Sequence, residues 1–181
     1  MKKKGFSIIV ACDEQGGIGK GGALPWHIPS DLKHFKEVTT APYGAAQNVV
    51  MMGRKTWESI PEKFRPLPLR LNVVITSQDN YALPAGVVQV DSLESGLNAF
   101  CNTAREDVGA VFVVGGAQVY AEAIKHPLCE RIYLTRVYGT FRCDVFFPEI
   151  PARFTKMTHS PKQKENEKMF SFSIISSKAS A

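Results

Sequence analysis

The residue of this sequence best placed to do chemistry is Asp31, in the stretch Ala23-Leu24-Pro25-Trp26-His27-Ile28-Pro29-Ser30-Asp31-Leu32-Lys33-His34-Phe35. The pattern predicts a helix over 30–40. At about 100° per residue, Ile28, Leu32, Phe35 and Val38 share the side of Asp31, while Ser30, Lys33, His34, Lys36 and Glu37 take the opposite arc. An acid therefore sits on the apolar stripe. A carboxylate buried there is costly unless something pairs with it. Either a ligand brings matching donors, or desolvation lifts its pKa above the usual value of about 3.9. The position also suits a simpler role, because an acid in a first turn favours the positive end of the helix dipole. On this segment alone both readings stand.

Gly115-Gly116 follows an apolar run and opens a helical segment, so its backbone amides can face a phosphate with no side chain between. The same pair also makes an ordinary tight turn, and it is not the GxGxxG pattern of a regular dinucleotide fold. Arg54-Lys55-Thr56 repeats the logic with a forked guanidinium and a hydroxyl at the start of another helix. Gly16, Gly17, Gly19, Gly21 and Gly22 free the backbone before Leu24, as a loop closing over a ligand requires and as any mobile loop allows. Arg70 offers a planar fork for a carboxylate. No metal-ligand spacing appears, so no metal is expected.

Five segments make an ordered set: Gly17-Ile18-Gly19-Lys20, Leu24-Pro25-Trp26, Met52-Gly53-Arg54-Lys55-Thr56-Trp57, Pro66-Leu67-Pro68-Leu69-Arg70, and Val113-Val114-Gly115-Gly116-Ala117-Gln118-Val119-Tyr120. In this order and at this spacing, from about Phe6 to Ile150, the chain closely resembles the dihydrofolate reductase family. The resemblance implies an NADPH-dependent enzyme that reduces 7,8-dihydrofolate to 5,6,7,8-tetrahydrofolate, with hydride transfer to pterin C6 and protonation at N5. It makes Asp31, Thr135 and Trp26 the catalytic group: the first two bind the pterin and Trp26 holds a water nearby. Ile9, Val10 and Val114 would close the pterin pocket, and Leu32, Phe35, Ser59, Ile60 and Leu67 the slot for the aminobenzoyl group. Arg70 would grip the α-carboxylate of the glutamyl tail.

For the cofactor, the backbone of Ala11 and Ile18 would meet the carboxamide, and Gly19, Lys20, Gly21, Gly22 and Ala23 would continue the cover over the nicotinamide. Gly115 and Gly116 would hold the pyrophosphate, and Ala117, Gln118, Val119 and Tyr120 continue the cofactor-binding set. Gly53, Arg54, Lys55, Thr56, Thr76, Ser77 and Gln78 complete the implied set, with Arg54 on the 2′-phosphate. Three positions depart from the family pattern. Ser77 stands where a basic residue often helps bind the adenosine phosphate, and Phe64 and Leu69 make the loop before Arg70 more apolar than usual. Two rival functions are a reductase of pteridines lacking a glutamate tail, against which Arg70 argues, and an idle binding or RNA-interacting module on the same fold.

The elements that must position these residues follow from hydrophobic pattern. Apolar, β-branched runs at 6–11, 48–52, 71–76, 87–90, 110–114 and 132–137 read as strands, most of them buried on both faces. Helical segments at 30–40, 54–60, 93–104 and 118–125 alternate with them. The expected fold is α/β: one domain over 1–181 with a mixed, mostly parallel sheet of about eight strands flanked by helices. Two antiparallel strands at 154–158 and 169–176, joined by a polar loop at 160–168, form the C-terminal hairpin.

Composition agrees with a folded globular protein. Of 181 residues 44% are hydrophobic and 22% charged, which excludes disordered and fibrous classes. The net charge of +5 suits anionic ligands. The basic clusters at 2–4 and 162–168 lack interleaved aromatics, so nucleic acid is not expected. The four scattered cysteines read as reduced thiols. Asp13 and Glu14 stop the apolar run after the basic start too early for a signal peptide, and no stretch is long enough to cross a membrane. A cytoplasmic monomer acting on small molecules is the expectation.

Overall fold

In the computed structural model, which describes residues 4–101 and 105–178, the β-branched runs become the parallel strands of one sheet. In chain order the elements are β1 (Phe6–Cys12), β2 (Gly17–Gly19), α1 (Pro29–Thr40), β3 (Gln47–Gly53), α2 (Arg54–Ser59), a single 3₁₀ turn (Glu62–Phe64), β4 (Arg70–Ile75) and β5 (Val88–Val90). Then come α3 (Leu93–Phe100), β6 (Val108–Val113), α4 (Ala117–Ala123), β7 (Cys129–Tyr138), β8 (Val145–Phe146), β9 (Phe154–His159), β10 (Gln163–Glu165) and β11 (Lys168–Ser177).

The sheet runs β10-β11-β7-β1-β6-β3-β4-β5, with β9 also pairing β11. All strands from β7 to β5 along this path are parallel, and β11 reverses direction against β7. Central strands are covered on both faces, which is why β3 carries the unbroken apolar run Val49-Val50-Met51-Met52, each 0% exposed. Alternate residues feed two cores. Ile8, Met51, Val73 and Val113 pack with Leu97 and Phe100 of α3, whereas Ile9, Val50, Val74 and Phe112 pack with Trp57 of α2. The chain leaves β1 for β3 on one side, returns to insert β6 between them, and then crosses to β7 on the other side. Such a reversal opens a crevice beyond the carboxyl ends of the strands, where α/β sheets bind their ligands.

Element boundaries move by up to three residues from expectation, the largest such shift being the start of β7 at Cys129, with other differences at four places. Helix α3 ends at Phe100, and Asn102, Thr103 and Ala104 of the expected span lie outside the described residues. The glycine stretch is not merely free chain: Gly17–Gly19 pairs with Val145–Phe146 as a second, two-stranded sheet. The polar segment at 160–168 contains a third C-terminal strand, β10, closed onto β11 through Asn166 and Glu167 with φ of 48° and 58°. Two successive residues of positive φ make the turn that matches strand twist in a tight hairpin. Leu32, expected on the buried arc of α1, is 51% exposed. The inward stripe of that helix is narrow, with only Asp31 and Thr39 buried.

Among the described residues no helix is long and apolar enough to cross a membrane. All four cysteines are free thiols, and burial pushes Cys12 and Cys101 up to about 11 and Cys129 up to about 12.

Candidate functional site

The amino end of α1 is where the sequence's acid meets the sheet. Asp31 is 9% exposed, and desolvation raises its pKa above the ordinary carboxyl value, with the Thr135 hydroxyl pulling the other way. Thr135 is buried on β7, opposite Ala11 of β1 on one side and Phe172 of β11 on the other. Trp26 is buried in the apolar group of Ile28, Val137 and Phe170, with its ring edge-on to Phe141 at 5.1 Å. Its Nε1–H is the single buried side-chain polar atom without a hydrogen-bond partner among the described residues. Such an orphan donor calls for a water or a ligand acceptor. Ile9 and Val10 are buried and Val114 half-buried, its amide donating to the Met51 carbonyl at 2.9 Å.

At the other end of α1 stands Arg70, at the start of β4 and 6% exposed. Its Nε donates to the Pro68 carbonyl at 2.9 Å and its Nη1 to the Thr39 hydroxyl at 2.8 Å. The Thr39 hydroxyl in turn donates to the Phe35 carbonyl at 2.7 Å, and the guanidinium carbon lies 5.8 Å from the centre of the Phe35 ring. Burial lowers the guanidinium pKa from its ordinary value. Among the described residues no carboxylate pairs with it. A charge so buried and so unpaired is poised for an anion from outside the chain.

Phe35, Ile60 and Leu67 are half-buried between the two ends, whereas Leu32 and Ser59 are exposed, the Ser59 hydroxyl donating to the Thr56 carbonyl at 2.7 Å. Sequence reasoning missed three polar residues that hold this region. Buried Asn72 accepts from the Leu67 amide at 2.8 Å and donates to the Leu67 carbonyl at 2.9 Å, fixing the loop before Arg70. Asn48 donates to the carbonyls of Thr39 and Ala41 at the end of α1. Thr39 is the third. Each was hidden because a lone polar residue inside an apolar or helical stretch has no pattern of its own. Phe64 and Leu69 are exposed at 56% and 74%, so they add apolar surface to the loop rather than to the core.

The second pole of the site lies at the carboxyl ends of neighbouring β3 and β6, where α2 and α4 begin. The Gly53 amide donates to the Gly115 carbonyl at 2.8 Å, tying the two turns together. The Gly115–Gly116 peptide is cis and Gly115 has φ +116°. A Cβ on Gly115 would lie 3.1 Å from the Tyr120 ring, on Gly116 3.1 Å from the Thr56 hydroxyl, and on Gly53 3.2 Å from a Val119 methyl. Three glycines thus make a bare backbone cradle, packed closely against Thr56, Val119 and Tyr120, with Ala117 and Gln118 opening α4. The Tyr120 hydroxyl is anchored on the Ile9 carbonyl at 2.8 Å.

Arg54 already has a partner: its Nη1 donates to both carboxylate oxygens of Glu58 at 2.9 and 3.0 Å. Glu58 in turn accepts from the Tyr81 hydroxyl at 2.9 Å. Lys55, Ser77 and Gln78 are exposed and Thr76 buried, its hydroxyl accepting from the Gln78 amide at 3.2 Å. The glycine segment is clamped. Asp13 accepts the amides of Gln15 and Gly17, Lys20 and Ala23 bond each other's backbone, and Asp144 accepts the Gly21 amide at 2.8 Å. Gly21 and Gly22 turn there with φ of 57° and 81°. Ala11 and Ile18 are half-buried beside this hairpin. Among the described residues no group of three His, Cys, Asp or Glu comes together as a metal site.

A family model described as dihydrofolate reductase matches residues 5–178. The dihydrofolate reductase of Drosophila melanogaster is 40% identical over 177 residues, covering 94% of this chain and 96% of the relative. The bifunctional dihydrofolate reductase-thymidylate synthase of Zea mays is 45% identical over 152 residues, 82% of this chain, which spans only 29% of that longer relative. Among solved structures, Schistosoma mansoni dihydrofolate reductase superimposes with a TM-score of 0.83 at 36% identity, covering 98% of this chain and all of that one. With a buried acid, an unpaired guanidinium and a glycine cradle on a sheet of matching topology, the chain belongs to the dihydrofolate reductase family of enzymes.

Proposed function

We propose that this protein reduces 7,8-dihydrofolate to 5,6,7,8-tetrahydrofolate with NADPH. One observation carries the reading: Asp31 and the Thr39 anchor of Arg70 lie at opposite ends of α1, eight residues or about 12 Å of helix apart, with Phe35 between them. The first offers buried acceptors, the second a guanidinium for an anion, and the middle an aromatic ring. A ligand with a donor-rich ring, an aromatic spacer and a carboxylate answers all three. In this reading Asp31 accepts the pterin's 2-amino and ring N–H groups, Thr135 fixes the carboxylate, and Trp26 Nε1–H holds the water that delivers a proton to N5.

The cradle of Gly53, Gly115 and Gly116 suits a nicotinamide dinucleotide, since it carries no side chains of its own and its backbone amides suit a pyrophosphate. The bound cofactor supplies the hydride. Gly116→Ala is accordingly expected to weaken cofactor binding about tenfold or more in a fluorescence titration and to leave binding of dihydrofolate little changed. Arg54 favours the 2′-phosphate of NADPH over NADH, in competition with Glu58. Arg54→Ala should therefore weaken NADPH by about tenfold, roughly 1.4 kcal/mol, and spare NADH, while Glu58→Ala, which frees the fork, should tighten NADPH alone. Equal changes with both cofactors would remove Arg54 from the phosphate site. The chain is further proposed to act as a cytoplasmic monomer on these small molecules.

A further inference from the structure

Glu165 ends β10, and the tight turn through Asn166 and Glu167 sets it opposite Lys168. From there its Oε2 accepts the amide of Ser30 at 2.8 Å, across 135 residues of chain. Helix α1 has no side-chain cap of its own, because its N-cap residue is Ile28. The donors of its first turn can be fully accounted for. Pro29 has none, the Asp31 and Leu32 amides donate to the Ile28 carbonyl at 3.0 and 3.3 Å, and the Ser30 amide goes to Glu165. A second contact joins the same two parts. His34, one turn beyond Ser30, stacks on Phe172 of β11 with ring centres 3.9 Å apart, and Phe172 sits directly opposite Thr135 in the ladder. The C-terminal hairpin thus grips the turn that bears Asp31, while β7, its neighbour in the sheet, presents Thr135.

We propose that Glu165 is a positioning residue for the reduction: its carboxylate caps α1 and, together with the Phe172 ring, holds the Asp31 carboxyl against Thr135. The inference rests on the reading of Asp31 as the pterin-binding acid. A carboxylate is a strong acceptor at a helix start, and loss of a cap loosens the first turn before any other part of a helix. Here that turn carries the reactive geometry, where small misplacements have large kinetic effects.

The test compares Glu165→Ala and Glu165→Gln by steady-state kinetics with dihydrofolate, by fluorescence titration with NADPH, and by thermal unfolding. The alanine variant is expected to lose about tenfold in kcat/KM for dihydrofolate with an unchanged Kd for NADPH. The glutamine variant keeps an oxygen for the Ser30 amide and should return to within about threefold of wild type. Wild-type kcat/KM in the alanine variant would overturn the proposal. So would equal weakening of both ligands with a lowered Tm, which marks general destabilisation, or a glutamine variant as poor as the alanine one. Turnover of dihydrofolate by the wild-type protein tests the underlying reading separately, so a silent Glu165→Ala in an active enzyme removes only the role of Glu165.

Discussion

Asp31→Asn should leave the protein folded and cut the rate of dihydrofolate reduction at neutral pH by about a hundredfold or more, the scale of a lost acid–base group. The amide keeps the size of the side chain but not the charge that draws a proton onto the pterin. Lowering the pH supplies substrate already protonated, so the deficit should shrink toward acid pH. Unchanged turnover across the range would remove Asp31 from the chemistry. The same substitution has a second expected outcome with the opposite sign. Desolvation raises the Asp31 pKa in the fold, so its contribution to stability is full below the unfolded value of about 3.9 and is lost as pH rises through the higher folded value. At neutral pH the ionised carboxyl therefore weighs against the fold. The ligand-free Asn variant should melt a few degrees above wild type at pH 7, and the gap should close toward pH 4. A less active and more stable protein is the signature of a buried functional acid. A variant that is less active and less stable would mean that Asp31 chiefly supports the helix.

Arg70→Ala should raise KM for dihydrofolate by about ten- to a hundredfold, equivalent to about 1.4–3 kcal/mol, and hardly alter reduction of a dihydropterin without a glutamyl tail. The contrast between substrates matters because Arg70 also bonds the Pro68 carbonyl and the Thr39 hydroxyl, so its removal disturbs the loop as well as the clamp. Damage to the pocket would depress both reactions together. Arg70→Lys keeps the charge and loses the planar fork, and should fall between wild type and alanine for dihydrofolate. Unchanged KM in the alanine variant would leave the buried guanidinium without a ligand and reduce the substrate to an unspecified pterin.

The parallel strands were legible in the sequence because burial on both faces demands unbroken apolar runs, as at Val49 to Met52. Asp31 was legible for the converse reason, a charge where periodicity calls for an apolar residue. What escaped was whatever is decided between distant segments. The short strands β2 and β8 bury too little to leave a pattern, and β10 is exposed and polar, fixed by its turn and its pairing with β11. Arg70 could be singled out, but the Thr39 hydroxyl that aims it could not, nor the carboxylate of Glu165 that caps a helix lacking a cap of its own. The sequence marks Arg54 as a fork for an outside anion, whereas Glu58 one turn along the same helix already holds that fork. The i, i+4 spacing was the signal that would have found that pair.

The most direct measurement follows the near-UV absorbance of NADPH after dihydrofolate is added to the purified protein. Oxidation of one NADPH for each dihydrofolate consumed, abolished when either substrate or protein is left out and far slower with NADH, is the predicted result. A folded protein that binds NADPH and leaves its absorbance unchanged in the presence of dihydrofolate would contradict it.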